Sequence, residues 1–161
     1  MADPHEAFAE FTASLDAPMF VVTTAAGGER SGCLVGFASQ TSIDPPRFLA
    51  GLSVRNRTYR VARVARVLAV HALGRDQRGL AELFGAETGD EVDKFARCDW
   101  EEGPEGVPVL PGCAHLVGRI VERVPLGDHV GHLLAPVSGR GAPGPLLRLS
   151  DVADLPPGHE A

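Results

Sequence analysis

The chain has 161 residues, of which 44% are hydrophobic and 22% charged, so it is long and apolar enough to bury the core of one globular domain. Its net charge of −6 argues against binding to nucleic acid or to an anionic membrane, because both need clustered lysines and arginines. No apolar run approaches the roughly 18 residues that span a bilayer, and the first residues lack the pattern of a signal peptide. We therefore expect a cytoplasmic protein.

The first part of the chain predicts a short helix and then a β-hairpin. Phe8, Phe11 and Leu15 recur at spacings of three and four, which is typical of an amphipathic helix over residues 4–15. Residues 19–24 are rich in β-branched and aromatic side chains and predict a strand. Gly27-Gly28 is a hairpin signal, so a second strand around residues 31–38 should pair antiparallel with the first.

A polar cluster follows, Ser39 to Ser42, and Asp44-Pro45-Pro46 leads from it into a strand predicted over residues 47–53. Asn56 is a typical N-cap for the helix that comes next. Apolar residues alternate in this helix with four arginines, which we expect to form a solvated face: Arg57, Arg60, Arg63 and Arg66.

Residues 67–73 form a continuous apolar run and predict a buried strand, with His71 as a hydrogen-bonded core residue rather than a ligand. Asp76 can cap a helix that runs through Phe84 and ends at Gly85. A further short helix should begin at Thr88 and hold two apolar residues inward and two basic residues outward: Val92 and Phe95, and Lys94 and Arg97.

Strands are also predicted over residues 113–124, 128–137 and 146–149, with a short element near 107–110, a flexible loop over 138–145 and a frayed tail from Ala153. About seven strands are mostly joined by hairpins, and strands and helices do not alternate regularly. We therefore predict a mainly β fold, a small antiparallel barrel with peripheral helices. Three segments are expected: an N-terminal helix (1–17), the barrel domain (18–150) and a tail (151–161).

The three cysteines are odd in number and widely spaced, without a Cys-x-x-Cys pair, so we expect free buried thiols and no metal site. Cys113 and His115 would bind zinc only if distant residues converged on them. The sequence also lacks a Gly-x-Gly-x-x-Gly fingerprint between a strand and a helix, a P-loop, a Gly-x-Ser-x-Gly elbow and a His-Glu-x-x-His motif.

Three polar sites remain as candidates, each with an alternative that stays open. The cluster at residues 39–42 supplies donors suited to a flavin ring, or it forms an ordinary polar turn. Residues 53–58 open a helix and can hold an anion, or they form an ordinary cap with solvated arginines. His129, which follows Asp128 at the start of a strand, can donate to a flavin or nicotinamide edge, or it is simply a surface residue.

Taken in order, these segments resemble the flavin reductase-like family of FMN-binding split barrels. Residues 32–46 match the family pattern ending in Asp-Pro-Pro without a gap, and residues 46–58 match the apolar stretch and turn that follow. Lys94-Phe95, the stretch Gly106-Val-Pro-Val-Leu and Gly127-Asp-His then occur in the expected order. The resemblance covers roughly residues 18–137. The chain departs from the pattern at Leu34, Gly36, Phe37, Ala38 and Gln40.

The resemblance implies that the barrel is an antiparallel split barrel that binds FMN or FAD and uses NADH or NADPH as a cosubstrate. It implies that one group of residues lines the isoalloxazine: Leu34, Val35, Gly36 and Phe37. A second group would contact the ring and ribityl chain: Ser39, Gln40 and Thr41. A third would hold the phosphate: Ser53, Arg55, Asn56 and Thr58. Lys94, Phe95 and His129 would approach the open face of the flavin, with His129 as the catalytic candidate.

The implied activity is hydride transfer from NAD(P)H to flavin in a homodimer that supplies reduced flavin to a flavin-dependent monooxygenase. Such chemistry requires no protein general base, because the flavin carries the reaction. Two alternatives remain. One is an FMN- or deazaflavin-dependent oxidoreductase that acts on an organic substrate, and the other is a non-enzymatic flavin- or haem-binding protein.

Overall fold

The computed structural model describes residues 3–86, 93–141 and 144–156. The helices are α1 (Pro4–Leu15), α2 (Arg57–Ala62) and α3 (Arg78–Gly85). The strands are β1 (Phe20–Ala26), β2 (Glu29–Val35), β3 (Ala38–Ser42), β4 (Arg47–Ser53), β5 (Val67–Ala72), β6 (Glu101–Glu102), β7 (Pro108–Val109), β8 (Ala114–Pro125) and β9 (His129–Arg140). Single 3-10 turns lie at Arg75–Gln77, Lys94–Ala96, Pro104–Gly106 and Leu149–Val152.

Seven of the strands form one antiparallel sheet in the order β2-β1-β5-β8-β9-β4-β3. The two edge strands, β2 and β3, are neighbours in the chain and only Gly36 and Phe37 lie between them. The Gly51 amide of β4 donates to the Phe37 carbonyl over 2.8 Å. The sheet is not closed into a continuous barrel, but its two edges meet at this short connection. The predicted antiparallel split-barrel architecture is confirmed.

The β1–β2 hairpin turns at Gly27 and Gly28, whose φ angles are +58° and +81°. Glycine adopts such angles without steric cost, and successive positive φ values match the turn that suits two twisted antiparallel strands. The resulting register pairs Ala26 with Glu29 and Phe20 with Val35. The hairpin predicted from the Gly-Gly pair is therefore present.

Apolar side chains pack on both faces of the sheet. The inner face of the curled sheet buries a cluster built around Val22, Leu52, Leu68 and Leu134. The outer face buries a second cluster in which α3 contributes Phe84, and a third cluster lies around Val107 and Val117. An ideal Cβ on Gly32 would come within 2.7 Å of the Phe84 ring, so glycine there lets α3 pack closely on β2.

His71 is a core residue, as predicted. Its side chain is fully buried. Nδ1 lies 2.9 Å from the Val21 carbonyl oxygen, and the Leu110 amide donates to Nε2 over 3.0 Å. The imidazole is therefore neutral with its proton on Nδ1, and burial lowers its pKa to about 4.

Several sequence predictions are wrong in detail. Residues 39–42, for which an ordinary polar turn was one of two alternatives, belong to edge strand β3, because they pair with β4. Residues 146–149 form isolated bridges and a 3-10 turn instead of a strand. Lys94 was expected to point outward, but only 6% of it is exposed.

The two ends of the described chain also differ from expectation. The apolar face of α1 is largely exposed in the described chain, since Phe8, Phe11 and Leu15 are 68%, 63% and 58% exposed. The tail was predicted to be frayed from Ala153 onward, but Leu155 packs against the outer cluster. The Ser150 hydroxyl donates to the Asp16 carboxylate over 2.8 Å.

The helix predicted to begin at Thr88 lies outside the described residues up to position 92. Its last part forms the 3-10 turn Lys94–Ala96, where Phe95 is buried as predicted. Residues 157–161 also lie outside the described residues. The predicted division at residues 17 and 150 stays a prediction. Within the described residues, no helix is both long and apolar enough to cross a bilayer.

Candidate functional site

A cavity of about 270 Å³ lies where the end of β2, the end of β4, the entrance to α2 and the start of β9 meet. Seven residues predicted to serve a ligand line it: Leu34, Val35, Gly36, Phe37, Ser53, Asn56 and His129. Four lining residues were not predicted: Met19, Cys33, Gly51 and Leu149. Met19 and Leu149 carry no sequence signal for this role, because only the folded chain brings them beside β2.

The sheet register explains why these residues converge. Strand β4 pairs with β9 so that Ser53 lies opposite His129. The chain connection between the two sheet edges brings Phe37 against Gly51, where an ideal Cβ would lie 3.3 Å from the Phe37 carbonyl oxygen. A larger residue at position 51 would push this connection away from β4. Glycine at this position therefore keeps the two edges in contact beside the cavity.

The polar side of the cavity is the turn between β4 and α2. Asn56 is the N-cap of α2, and its side-chain oxygen accepts from the Thr58 amide over 2.9 Å. The Ser53 hydroxyl accepts from the Arg55 amide over 3.3 Å. Ser53 and Asn56 are only 7% and 8% exposed. The turn thus holds two nearly buried polar side chains in fixed positions at the cavity wall.

Thr58 and Arg55 do not line the cavity. Thr58 is fully buried, and its hydroxyl lies 2.8 Å from the Ser31 hydroxyl of β2. That bond ties the first turn of α2 to the sheet, so Thr58 acts in this structure as a support for Asn56. Arg55 is exposed beside the turn. Direct contact of either residue with a ligand stays a prediction.

His129 lies at the mouth of the cavity. Its Nδ1 is 2.7 Å from an Asp128 carboxylate oxygen, and its side chain is 17% exposed. This hydrogen bond from the imidazole lowers the pKa of the Asp128 carboxyl. The Phe37 ring lies 4.8 Å from the imidazole at an angle of 58°. Asp128 and Phe37 therefore hold the ring in place and leave Nε2 for a ligand.

Cys33 contributes a neutral thiol to the cavity wall. Burial raises its pKa to about 11, although a hydrogen bond with Thr58 opposes the shift. All three cysteines are free, as predicted; Cys33 and Cys113 are buried and Cys98 is half-buried. Among residues 3–86, 93–141 and 144–156, no group of three or more His, Cys, Asp or Glu residues is placed to hold a metal ion.

Lys94 and Phe95 pack on the outer side of the sheet instead of lining the cavity. The Lys94 ammonium donates to the Phe84 carbonyl over 2.9 Å and to the Gly32 carbonyl over 3.2 Å. A cation beside the last carbonyls of α3 is favourably placed relative to the helix dipole. Phe95 packs edge-on against Phe84 with ring centroids 5.7 Å apart. Their predicted approach to a flavin stays untested.

Ser39, Gln40 and Thr41 also lie outside the cavity, on exposed edge strand β3. The Ser39 hydroxyl donates to the Gln40 carbonyl over 3.1 Å, and the Gln40 amide donates to the Ser42 carbonyl over 3.2 Å. These side chains are solvent-accessible and remain candidates for the part of a ligand that extends beyond the cavity.

The sequence of the chain is similar to that of a known protein family. The model of the family described as "Flavin reductase like domain" matches residues 12–147. The NADH:riboflavin 5′-phosphate oxidoreductase of Streptomyces pristinaespiralis is 31% identical over 147 residues, which cover 88% of this chain and 82% of that protein. The reductase component of 4-hydroxyphenylacetate 3-monooxygenase of Salmonella typhimurium is 30% identical over 130 residues, covering 80% and 76% respectively.

Two solved structures share the fold. The NADH:FAD oxidoreductase of Streptomyces globisporus superposes with a TM-score of 0.79 at 25% identity, covering 92% of this chain and 89% of that one. A structure from Sinorhizobium meliloti superposes with a TM-score of 0.80 at 24% identity over 92% of this chain. The present chain spans only 51% of that protein, and at this identity the likeness concerns the fold alone.

Proposed function

The chain belongs to the flavin reductase-like domain family, and from that membership we propose that it is an NAD(P)H:flavin oxidoreductase with FMN as its preferred flavin. The main observation in support of this proposal is the cavity between the ends of β2 and β4. Its walls are formed by the segments that match the family pattern, residues 33–37 and 51–56, and by His129 of the Gly-Asp-His motif. Relatives named for reduction of riboflavin 5′-phosphate or FMN with NADH support the same activity.

The chemistry of the cavity fits a flavin. Its apolar side, with Leu34, Val35 and Met19, suits a flat heteroaromatic ring, whereas Ser53 and Asn56 supply hydrogen-bonding groups at the opposite side. The Asn56 side-chain oxygen accepts from the Thr58 amide, which fixes this polar side chain at the cavity wall beside Ser53. We assign the ring to the apolar side and the phosphate to the Ser53–Asn56 turn.

When bound, the flavin supplies the acceptor for the hydride, and the chain supplies binding, orientation and exclusion of water. The Asp128 carboxylate fixes the imidazole of His129 so that Nε2 faces outward from the hydrogen-bonded pair. With Nδ1 donating to Asp128, Nε2 of an uncharged imidazole would accept a hydrogen bond at the mouth of the cavity, such as one from the nicotinamide carboxamide, and help orient the nicotinamide. No step requires a general base from the protein, because the flavin carries the hydride chemistry.

The remaining assignments rest on the relatives and the surface. The reductase components among the relatives support a flavin-dependent monooxygenase as the consumer of the reduced flavin. A homodimer would cover the exposed Phe37 beside the cavity and the exposed Ile43 in the β3–β4 turn, which are 67% and 85% exposed. FAD is a second flavin candidate, because the oxidoreductase of Streptomyces globisporus was solved with NAD and FAD fragments. Action in the cytoplasm stays a prediction.

The test is a flavin titration followed by nicotinamide oxidation. Purified protein is titrated with FMN and FAD, and oxidation of NADH and NADPH is then recorded with and without each flavin. We expect flavin-dependent oxidation of at least one nicotinamide. Tight flavin binding that neither nicotinamide can reduce would overturn the reductase assignment and favour an oxidoreductase acting on an organic substrate. A haem absorption band in place of a flavin band would overturn the flavin assignment.

A further inference from the structure

A second cavity lies at the other end of the inner face of the sheet, and we call it the strand-end cavity. Its volume is about 400 Å³, and it shares no lining residue with the cavity assigned to flavin. Residues from five neighbouring strands form its walls, among them Phe20, Val70, Ala72 and Leu116. A ligand here would not compete directly with a ligand in the flavin cavity.

The register of the sheet keeps the strand-end cavity open. Ala72 of β5 pairs with Ala114 of β8, and Leu116 pairs with Gly139 of β9, so small residues stand where larger side chains would fill the space. An ideal Cβ on Gly139 would lie 2.7 Å from the His115 carbonyl oxygen, which restricts this position to glycine. Apolar walls left open in this way suit an apolar ligand.

The side chains that line the strand-end cavity indicate which class of ligand it can bind. Phe20 and Phe48 pack edge to face, with ring centroids 5.9 Å apart and planes at 73°, and form an aromatic wall. Among the described residues that line the cavity, only Arg140 carries a permanent charge, and it lies exposed at the rim. Guanidinium groups bind carboxylates through two parallel hydrogen bonds. An aromatic wall beside a single rim cation is complementary to a flat aromatic ring that bears one carboxylate.

We propose that the strand-end cavity binds a small aromatic carboxylate, with its ring against Phe20 and Phe48 and its carboxylate paired with Arg140. Binding is an equilibrium with no covalent or redox step. The site is distinct from the proposed reductase site, so its occupancy can be measured whether or not flavin reduction is observed.

The test uses 2-naphthoate as the probe and its neutral analogue 2-naphthamide as the comparison, titrated by calorimetry into the full chain with and without saturating FMN. We expect both probes to bind in either condition. Arg140→Gln should weaken naphthoate binding about tenfold and leave naphthamide binding unchanged, because only the charged pair is lost. Arg119→Gln removes an equally exposed arginine of β8 that does not line the cavity, and it should leave both affinities unchanged.

Ala72→Leu fills the cavity and should abolish binding of both probes. Failure of naphthoate to bind the wild-type protein would overturn the proposal, as would equal losses in Arg140→Gln and Arg119→Gln. If FMN displaces naphthoate, the probe occupies the flavin cavity and the proposal is also overturned. If the wild type binds neither probe and forms a dimer that dissociates in Ala72→Leu, the strand-end cavity is instead covered by a second copy of the chain. If Ala72→Leu does not fold, the naphthoate affinities of Arg140→Gln and Arg119→Gln test the proposal.

Discussion

Replacing Asn56 by Asp separates two roles of this residue. In the structure Asn56 caps α2 through its side-chain oxygen, and in the proposed function it lies at the wall assigned to the flavin phosphate. Asn, Asp and Ser are about equally good N-caps, so the substitution should preserve the cap, although a nearly buried carboxylate will lower the free energy of unfolding somewhat. What changes is the charge: a carboxylate replaces a donor at a position that is 8% exposed.

The expected loss of FMN affinity follows from Coulomb's law. Two unit charges about 5 Å apart repel by about 3 kcal/mol at an effective dielectric constant of about 20. The phosphate carries roughly −1.5 to −2 at neutral pH, which increases the repulsion, whereas solvent and nearby arginines reduce it. We therefore expect FMN to bind Asn56→Asp at least about 30-fold more weakly than wild type, a loss of about 2 kcal/mol.

The assay is quenching of flavin fluorescence at low and high salt, with riboflavin as a ligand that lacks the phosphate. Asn56→Ser keeps a capping oxygen without adding charge and serves as the control. Riboflavin affinity should be equal in the two variants, and the difference in FMN affinity should shrink as salt is added. Equal weakening of riboflavin and FMN, or FMN binding by Asn56→Asp as tight as by Asn56→Ser, would refute the phosphate assignment.

Three further predictions concern His129, Thr58 and His71. His129→Ala should lower kcat for nicotinamide oxidation about tenfold or more and change the FMN dissociation constant much less; equal losses in both would indicate a purely structural role. Thr58→Val should lower the free energy of unfolding by about 1–3 kcal/mol in urea titrations, because it leaves the Ser31 hydroxyl without its partner, and an unchanged free energy of unfolding would show that this hydrogen bond does not stabilise the start of α2. For His71, the folded pKa of about 4 lies below the unfolded value of 6.5, so the unfolded state binds more protons between these values and stability falls as pH falls through that window. Wild type should lose about 2 kcal/mol more than His71→Gln between pH 7 and pH 5, and identical pH profiles would show that His71 does not titrate in this way.

Local patterns in the sequence predict most of the elements correctly. Helix α1 and strand β4 have the predicted bounds, because an alternating or helical apolar pattern is bounded in each case by clear turn residues. The Gly27-Gly28 turn and the Asn56 cap are equally local features. Such features depend on neighbouring residues in the chain and can therefore be read without knowledge of the fold.

The wrong or missing predictions concern residues whose environment is set by contacts with distant parts of the chain. Ser39 to Ser42 look like a polar turn, but pairing with β4 makes them an edge strand whose side chains face solvent. Lys94 looks like a surface lysine, yet carbonyl oxygens from α3 and β2 accept from its ammonium in the interior. For the same reason Met19 and Leu149 could not be identified as cavity residues from sequence, because only the folded sheet brings them together.

The meeting of the two sheet edges at Gly36-Phe37 has a consequence for folding. Strands β2 and β3 are adjacent in the chain but stand at opposite edges, with five other strands between them in the sheet. The cavity therefore exists only once every intervening pairing has formed, including the distant β5–β8 and β4–β9 pairings. Such non-local pairings are typically late and slow to form.

A ligand of this cavity thus recognises the complete sheet and not a partly folded one. Binding to the native state alone raises the free energy of unfolding by RT ln(1 + [L]/Kd), with no compensating affinity for intermediates that lack an edge strand. A newly made chain would therefore retain flavin only after the two edge strands of its sheet, β2 and β3, have been brought together.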